Sequence, residues 1–169
     1  MKKTLDVNSM IRVNHAGESA AVRIYEGQLR VLGESSVAPT LHHMLAQEQK
    51  HLEKFESERM QRNIAPTVFH PLWHKVSYAL GVASALLGKE AAMACTVAVE
   101  EAIDEHYEAQ LVALKESPEE DLKNLIHACH QEELTHKAEA QDLGGTKYSP
   151  FKKAIKTACQ LAIYFSERG

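Results

Sequence analysis

Two glutamate and histidine pairs lie on faces of predicted helices that are otherwise apolar. Glu48 and His51 are three residues apart, so they project from the same side of a helix, a side that also carries Leu52. Glu133 and His136 repeat this spacing later in the chain. A carboxylate buried without a partner costs several kcal/mol, and a bound cation would supply that partner. The pattern therefore favours helices packed around a cation-binding centre.

A lone glutamate precedes each pair. Glu18 lies 30 residues before Glu48, and Glu100 lies 33 residues before Glu133. One glutamate from each of two helices, with Glu-x-x-His from two others, is the ligand set of di-iron and di-manganese helical bundles. Carboxylate oxygens and imidazole nitrogens also suit iron or manganese. Helical geometry alone does not choose between Glu100 and its neighbour Glu101.

The rest of the sequence is typical of helices. Of the 169 residues, 44% are apolar and 6% aromatic, which is sufficient for one core of ordinary size. Pro39 and Pro150 stand at predicted helix starts, and Gly144 and Gly145 stand at a predicted end. Helices are predicted at about residues 8–32, 39–65, 72–115, 117–143 and 149–167.

Two of these boundaries depend on specific local signals. No proline interrupts residues 72–115, so one long or kinked third helix is predicted. Ser117 and Glu120 have the spacing of a capping box, which starts the fourth helix at Ser117. The predicted fold is an all-α, ferritin-like four-helix bundle with an additional C-terminal helix, formed by a single domain over residues 1–169.

Charge and cysteine content exclude several other classes. The formal net charge is -4 with both signs interspersed, so nucleic acid is not an expected partner. Cys95, Cys129 and Cys159 have no Cys-x-x-Cys spacing and indicate reduced thiols. The first residues lack the apolar segment of a secretory signal. The longest apolar stretch, residues 78–88, is too short to span a bilayer, so the protein can lie on a membrane but should not cross it.

The same residues also have an ordinary structural interpretation. A single Glu-x-x-His is expected by chance in a chain rich in both residue types, and such groups often lie on solvated helix faces. The joint spacing of both pairs and both lone glutamates favours the metal site. Other polar groups near the proposed ligands are weaker candidates for orienting them, namely His15, His106, Tyr107, His130 and Glu132. Glu132 directly precedes the second Glu-x-x-His pair, and Gln47 stands at the same place before the first pair.

Four stretches resemble the demethoxyubiquinone hydroxylases of ubiquinone biosynthesis. They read RVNHAGE at residues 12–18, PLW at 71–73, LGKEAAMACTVAVEE at 87–101 and AIYFSER at 162–168. The resemblance covers nearly the whole chain, and it selects Glu100 over Glu101. It implies two ferrous ions per chain, held by Glu18, Glu48, His51, Glu100, Glu133 and His136.

The implied activity is that of a 3-demethoxyubiquinol 3-hydroxylase, a monooxygenase that uses molecular oxygen to hydroxylate the ring of a polyprenyl demethoxyubiquinol. Glu18 and Glu100 would be terminal ligands, and Glu48 and Glu133 would bridge the two ions. A lipid tail requires apolar surface, so an interfacial face and tail channel are expected, with core packing as the alternative. The residues concerned are Trp73, Val76, Leu80, Val82, Leu86, Leu87, Ile155, Leu161, Ile163 and Phe165.

The resemblance also implies partners and a location. A lipid-binding accessory protein, other ubiquinone-biosynthesis enzymes and the membrane surface are expected partners, and a homo-oligomer is compatible with them. The expected location is peripheral, on the cytoplasmic side of a bacterial cytoplasmic membrane or the matrix side of the mitochondrial inner membrane.

Two other classes would use the same features. A ferritin-like protein for iron storage or peroxide removal would bind iron through the same ligands without an organic substrate. A helical scaffold or binding protein would dock through its apolar stretch and would bind no stoichiometric metal. Metal content together with turnover of a demethoxyquinol would separate the three classes.

Overall fold

The computed structural model describes residues 6–169, and every regular element in that range is helical. Six α-helices follow one another: α1 (Val7–Leu32), α2 (Ala38–Gln61), α3 (His70–Leu86), α4 (Lys89–Leu114), α5 (Glu120–Ala140) and α6 (Ser149–Ser166). Residues 1–5, where most of the segment considered as a secretory signal lies, are outside the described range. The prediction of an all-α fold is confirmed for the part of the chain that the structure describes.

The helices α1, α2, α4 and α5 form a four-helix bundle, and α3 and α6 pack on its outside. The helix α1 packs against α2 and α3, while α4 packs against α5 and α6. All side chains of residues 91–100 in α4 are buried. A helix that is surrounded on every side has this pattern. The predicted ferritin-like bundle is therefore confirmed, with α3 as a further helix outside it.

The prediction of one long third helix is wrong, because that segment forms two helices. The helix α3 ends at Leu86, and α4 begins at Lys89. Gly88 between them has φ 106° and ψ 166°, a backbone conformation that is essentially restricted to glycine. The five predicted helices are thus six. The helix α3 also begins at His70, two residues earlier than Leu72, because Pro71 fits in its first turn.

The start of α5 also differs from the predicted capping box. The helix begins at Glu120 rather than at Ser117. The Ser117 hydroxyl accepts a hydrogen bond from the Glu119 amide at 3.3 Å, so it stabilises the turn before the helix instead of capping the first turn. At the other end, a π-helical turn (Gln141–Gly145) continues α5, and Gly144 in that turn has φ 102°. The predicted helix end at this glycine pair is confirmed.

Glycines allow α1 and α3 to pack backbone against backbone. A Cβ on Gly81 would lie 2.1 Å from the carbonyl oxygen of Ile24, and a Cβ on Gly27 would lie 2.4 Å from that of Tyr78. Both distances are far shorter than van der Waals contact, so a larger residue would push the helices apart. The contact holds α3 against the bundle helix that carries Glu18.

Replacement of Gly81 tests this close packing. We expect Gly81→Ala to lower the free energy of unfolding by about 1–3 kcal/mol, because the added Cβ overpacks the contact between α1 and α3. The matched control is Gly17→Ala in α1, where an added Cβ would meet no described atom within 4 Å. This control should raise stability by about 0.5–1 kcal/mol, as expected for alanine in a helix interior. Denaturant unfolding followed by circular dichroism measures both effects, and equal stability of the two variants would contradict the close-packing argument.

Candidate metal centre

All six residues predicted as metal ligands lie in one buried cluster, with at most 2% of each residue exposed. The four bundle helices each contribute: Glu18 comes from α1, Glu48 and His51 from α2, Glu100 from α4, and Glu133 and His136 from α5. By contrast, the neighbouring Glu101 is half-buried, and its carboxylate lies 3.9 Å from Lys156 Nζ. The fold therefore turns Glu100 inward and Glu101 towards the surface.

The cluster contains two groups of potential ligand atoms. One group includes Glu18 and His51, the other includes Glu100 and His136, and both groups include Glu48 and Glu133. Within each group, four ligand atoms lie within 4.8 Å of one another. The folded chain thus forms two adjacent positions for a cation that share two carboxylates.

Both histidines direct Nδ1 towards the carboxylates. His51 Nδ1 lies 3.0 Å from Glu133 Oε1 and 3.5 Å from Glu18 Oε2. His136 Nδ1 lies 3.1 Å from Glu48 Oε1 and 3.1 Å from Glu133 Oε2. Nδ1 is therefore the ring atom available to a cation, and Nε2 is left for contacts with other side chains.

Several carboxylate oxygens of the cluster accept no hydrogen bond from the described residues. These atoms are Glu18 Oε2, both oxygens of Glu48, and Glu100 Oε2. The short distance between Glu48 Oε1 and His136 Nδ1 does not have the geometry of a hydrogen bond. Buried polar atoms are rarely left unpaired, because they lose hydration without compensation. Two divalent cations would pair with these oxygens and offset the charge of four carboxylates, so the residues present fit such cations.

The carboxyl groups of the cluster differ in their affinity for protons. Burial, together with the charge of Glu133, raises the pKa of Glu48 and of Glu100 well above the usual range. Burial also opposes ionisation of Glu133, but hydrogen bonds from His136 and His51 outweigh it and lower the pKa of Glu133 to about 2. Binding of cations by Glu48 and Glu100 would therefore release protons.

Two buried tyrosines donate hydrogen bonds to the lone glutamates. The Tyr25 hydroxyl donates to Glu100 Oε1 at 3.0 Å, and the Tyr107 hydroxyl donates to Glu18 Oε1. Burial raises the pKa of both hydroxyls well above the usual value, so both remain protonated donors at neutral pH. Tyr25 is absent from the predicted set, although its position seven residues after Glu18, on the same helical face, was an available signal.

The outer ring nitrogens of the two histidines contact a matched pair of side chains. His51 Nε2 lies 3.2 Å from Glu132 Oε2, and His136 Nε2 lies 2.9 Å from Gln47 Oε1. The Gln47 amide also donates to Glu132 at 2.8 Å. An acceptor at Nε2 keeps the ring proton there and leaves Nδ1 free as a ligand atom. Gln47 and Glu132 each precede one Glu-x-x-His pair, and each contacts the histidine of the opposite pair.

Three other predicted histidines contact different partners. His106 Nε2 accepts a hydrogen bond from Gln110 at 2.7 Å, and burial lowers the pKa of His106 to about 4, so its ring is neutral. His130 Nε2 lies 2.6 Å from Asp104 Oδ1. His15 Nε2 lies 2.8 Å from a carboxylate oxygen on α2. Within residues 6–169, none of the three forms a hydrogen bond with a proposed ligand.

An apolar cavity of about 160 Å³ lies between α1, α3, α4 and α6, and none of the six clustered residues is part of its lining. Its lining includes Gly17, which is adjacent to Glu18, and Val99, which is adjacent to Glu100. Small side chains of α1, such as Ala20, form much of this wall and are absent from the predicted set. Four residues of the predicted tail channel also line the cavity, namely Trp73, Val76, Leu80 and Ile163.

The other residues of the predicted apolar face have different environments. Ile155 is 6% exposed and packs in the core with Ile24 and Ala98, which agrees with the alternative of core packing. Val82 is half-buried. Four residues are exposed, namely Leu86, Leu87, Leu161 and Phe165. None of the helices within residues 6–169 combines the length and the apolar character that crossing a bilayer requires.

Comparison with known proteins supports the resemblance found in the sequence. The model of the family described as ubiquinone biosynthesis protein COQ7 matches residues 6–166. The chain is 46% identical to the human NADPH-dependent 3-demethoxyubiquinone 3-hydroxylase, and the match covers 96% of this chain and 77% of that protein. The 3-demethoxyubiquinol 3-hydroxylase of Rhodospirillum rubrum is also 46% identical, with 96% and 78% covered. The 5-demethoxyubiquinone hydroxylase of Saccharomyces cerevisiae is 35% identical, again with 96% and 78% covered. The chain therefore belongs to the ubiquinone biosynthesis protein COQ7 family.

Proposed function

We propose that this chain is an oxygen-dependent di-iron monooxygenase that hydroxylates the ring of a polyprenyl demethoxyubiquinol in ubiquinone biosynthesis. The observation that carries the proposal is the buried glutamate and histidine cluster, in a chain of this family that also has an apolar cavity between α1, α3, α4 and α6. Relatives named as demethoxyubiquinone or demethoxyubiquinol hydroxylases support this substrate. Their names favour a hydroxylase over an iron-storage or peroxide-removing protein. A scaffold without metal would leave several buried carboxylate oxygens unpaired.

The six clustered residues would hold two ferrous ions, with Glu48 and Glu133 shared between them. Bound iron would supply the reduction of molecular oxygen and the delivery of one oxygen atom to the ring. The chain itself fixes the ligands: Tyr107 holds one oxygen of Glu18, and Tyr25 holds one oxygen of Glu100. The buried surroundings keep bulk water away from the reacting ring.

The second oxygen atom of dioxygen leaves as water, which requires two electrons and two protons. The names of several mitochondrial relatives, among them the human and Caenorhabditis elegans proteins, contain "NADPH-dependent", which supports a nicotinamide as the electron source.

The size and the lining of the cavity suit a quinol ring. Cavities of roughly 150 Å³ lined by apolar side chains bind benzene, so a cavity of about 160 Å³ fits a single ring better than a polyprenyl tail. Val76 lines the cavity and is also 49% exposed, so the cavity adjoins the apolar surface of α3. The tail would extend along this surface while the ring lies near Glu18 and Glu100.

The exposed apolar side chains of α3 and α6 would rest on a membrane that contains the substrate. Leu72, Leu86 and Leu87 at α3 and Leu161 and Phe165 on α6 are between 44% and 71% exposed. Burial of such side chains in a bilayer interface stabilises peripheral binding. The location would be a bacterial cytoplasmic membrane or the mitochondrial inner membrane. A lipid-binding accessory protein and other ubiquinone-biosynthesis enzymes would associate with this face, and homo-oligomers are compatible with it.

Removal of a shared carboxylate tests the metal centre. We expect Glu48→Ala and Glu133→Ala each to abolish stoichiometric iron binding and to reduce hydroxylation by at least about a hundredfold, because each variant removes a ligand from both positions. Iron per chain, after reconstitution without oxygen, and turnover of a short-chain demethoxyquinol are the measurements. Circular dichroism measures whether each variant is folded, and we expect Glu48→Ala to be folded because it removes a buried carboxylate that is repelled by its neighbours.

The matched control for these variants is Glu101→Ala. Glu101 is adjacent to Glu100 but contacts Lys156 at the surface, so its loss should leave iron content and turnover unchanged. Hydroxylation by Glu48→Ala or Glu133→Ala at the wild-type rate would refute the site.

The contacts at histidine Nε2 generate a second prediction. Glu132→Ala removes the acceptor beside His51 Nε2 and should weaken iron binding by about 10–100-fold, as for other residues that orient metal-binding histidines. An iron titration measures this change. Glu53→Ala on the exposed face of α2 removes the same charge and should have no effect. Equal affinities in the two variants would show that the contact between Glu132 and His51 does not orient the ligand.

Filling the cavity tests the ring-binding role. Ala20 lines the cavity, so Ala20→Phe should occupy it and raise KM for a demethoxyquinol by about tenfold or more, while iron content remains at two per chain. Ala154→Phe on the exposed face of α6 adds the same ring outside the cavity and should leave KM unchanged. Unaltered KM in Ala20→Phe would place the substrate elsewhere.

A further inference from the structure

Cations must reach a cluster whose six ligand residues are almost completely shielded from water. The side chains that contact these residues from outside the cluster differ in their own exposure. Tyr25 and Tyr107, which donate hydrogen bonds to the lone glutamates, are each 2% exposed. By contrast, the Glu132 side chain is 38% exposed, and Gln47 is half-buried. Glu132 and Gln47 therefore connect the buried ligands with the solvent.

Glu132 and Gln47 lie in the gap between α5 and α2, here called the α2–α5 gap. The backbones of these two helices make few close contacts. The backbones of α1 and α4 are also well separated, but α3 and α6 both pack against those two helices, and the cavity between the four is lined mainly by apolar side chains. Within residues 6–169, neither α3 nor α6 packs in this way on α2 or α5. The α2–α5 gap is therefore the polar side of the bundle that no additional helix covers.

Acidic side chains continue along α5 from the α2–α5 gap. Glu132 and Glu139 are seven residues apart, so they lie on the same helical face. Glu139 and Asp142 line an open groove of about 460 Å³ between the end of α5 and the start of α2, and His43 is part of the same lining. Carboxylates that line a cleft raise the local concentration of cations. The groove would therefore supply cations to the α2–α5 gap.

The two carboxylate oxygens of Glu132 have different surroundings. Its Oε2 lies 3.2 Å from His51 Nε2 and accepts a hydrogen bond from the Gln47 amide at 2.8 Å. Its Oε1 has no hydrogen-bond partner among residues 6–169. Oε1 can thus bind a cation that arrives from water while Oε2 still contacts the histidine. The hydrogen bond between Gln47 and Glu132 spans the α2–α5 gap, so it must open for a cation to pass.

We propose that cations enter and leave the cluster through the α2–α5 gap, and that the Glu132 carboxylate transfers them between water and the ligands. This inference rests on the proposed metal centre and concerns the rate at which it is filled. The substrate ring and the cations then approach from opposite sides of the bundle, the ring through the apolar cavity and the cations through the polar gap. Because one path serves both directions, loss of the Glu132 charge should slow both loading and release.

The rates of cobalt loading and release test this route independently of enzyme activity. The metal-free chain is mixed with Co²⁺ in the absence of oxygen, and uptake is followed by visible absorption. Release is followed after the cobalt-loaded chain is mixed with excess EDTA. We expect Glu132→Gln to slow loading by about tenfold and to slow release as well. The single amide oxygen of glutamine can keep both contacts of Oε2, so this variant loses only the free oxygen and the charge.

Two further variants control for the effect of charge. Glu53→Gln removes the same charge from the exposed face of α2 and should leave both rates unchanged. The double variant Gln47→Glu with Glu132→Gln moves the carboxylate across the α2–α5 gap and should restore most of the loading rate. Added salt should slow loading of the wild-type chain more than that of Glu132→Gln, because salt screens the charge. Circular dichroism verifies that each variant is folded.

The possible results separate the route from the metal centre. Equal loading rates in the wild-type chain and Glu132→Gln, or equal slowing by Glu53→Gln, would overturn the route and leave the metal centre intact. Faster release with unchanged loading would show that Glu132 acts only by orienting His51, and would also overturn the route. The same applies to a double variant that loads no faster than Glu132→Gln. Failure of the wild-type chain to bind any cobalt would overturn the metal centre itself.

Discussion

The repulsion among four buried carboxylates is the constraint on which the rest of this structure depends. Glu18, Glu48, Glu100 and Glu133 lie together where water does not reach them. Burial itself and then the neighbouring like charges oppose ionisation, and both raise the pKa values of Glu48 and Glu100. Protons can compensate for part of the charge, but cations can compensate for all of it and also pair with the unsatisfied oxygens. The bundle is thus a scaffold for residues that would destabilise an ordinary helical core.

Hydrogen bonds from residues around the cluster hold the ligand side chains in fixed orientations. Tyr25 and Tyr107 each fix one oxygen of a lone glutamate, while Gln47 and Glu132 each hold the histidine from the opposite pair. Side chains of α2 therefore orient the histidine ligand of α5, and side chains of α5 orient that of α2, although the backbones of the two helices make few close contacts. The apolar cavity lies on the other side of α1 and α4, where small side chains such as Gly17 and Ala20 leave space.

The sequence predicted the clustered residues because their spacing follows directly from helical geometry. Residues three apart share a face in any helix, so the paired ligands could be recognised without knowledge of the packing. The break at Gly88 could not be predicted in this way, because glycine is also tolerated within helices, as at Gly81. The cavity was only partly predicted. Large apolar residues in a sequence indicate a buried surface, whereas small residues such as Gly17 and Ala20, which leave the space open, do not indicate a cavity. Choosing Glu100 over Glu101 required the family resemblance, and the structure places the two as that resemblance implied.

Glu48 and Glu133 belong to both groups of ligand atoms, and this sharing has a thermodynamic consequence. Occupation of one position changes the charge and the orientation of carboxylates that the other position also needs, so the two binding equilibria are linked. This linkage is reciprocal. If the first ion changes the binding free energy of the second ion, the second ion changes the binding free energy of the first by the same amount. A metal titration of the chain would then yield two macroscopic constants that describe the pair, and neither constant would belong to a single position. For the same reason, a substitution of Glu18 in one position would change the cation affinity of the other position, which includes His136.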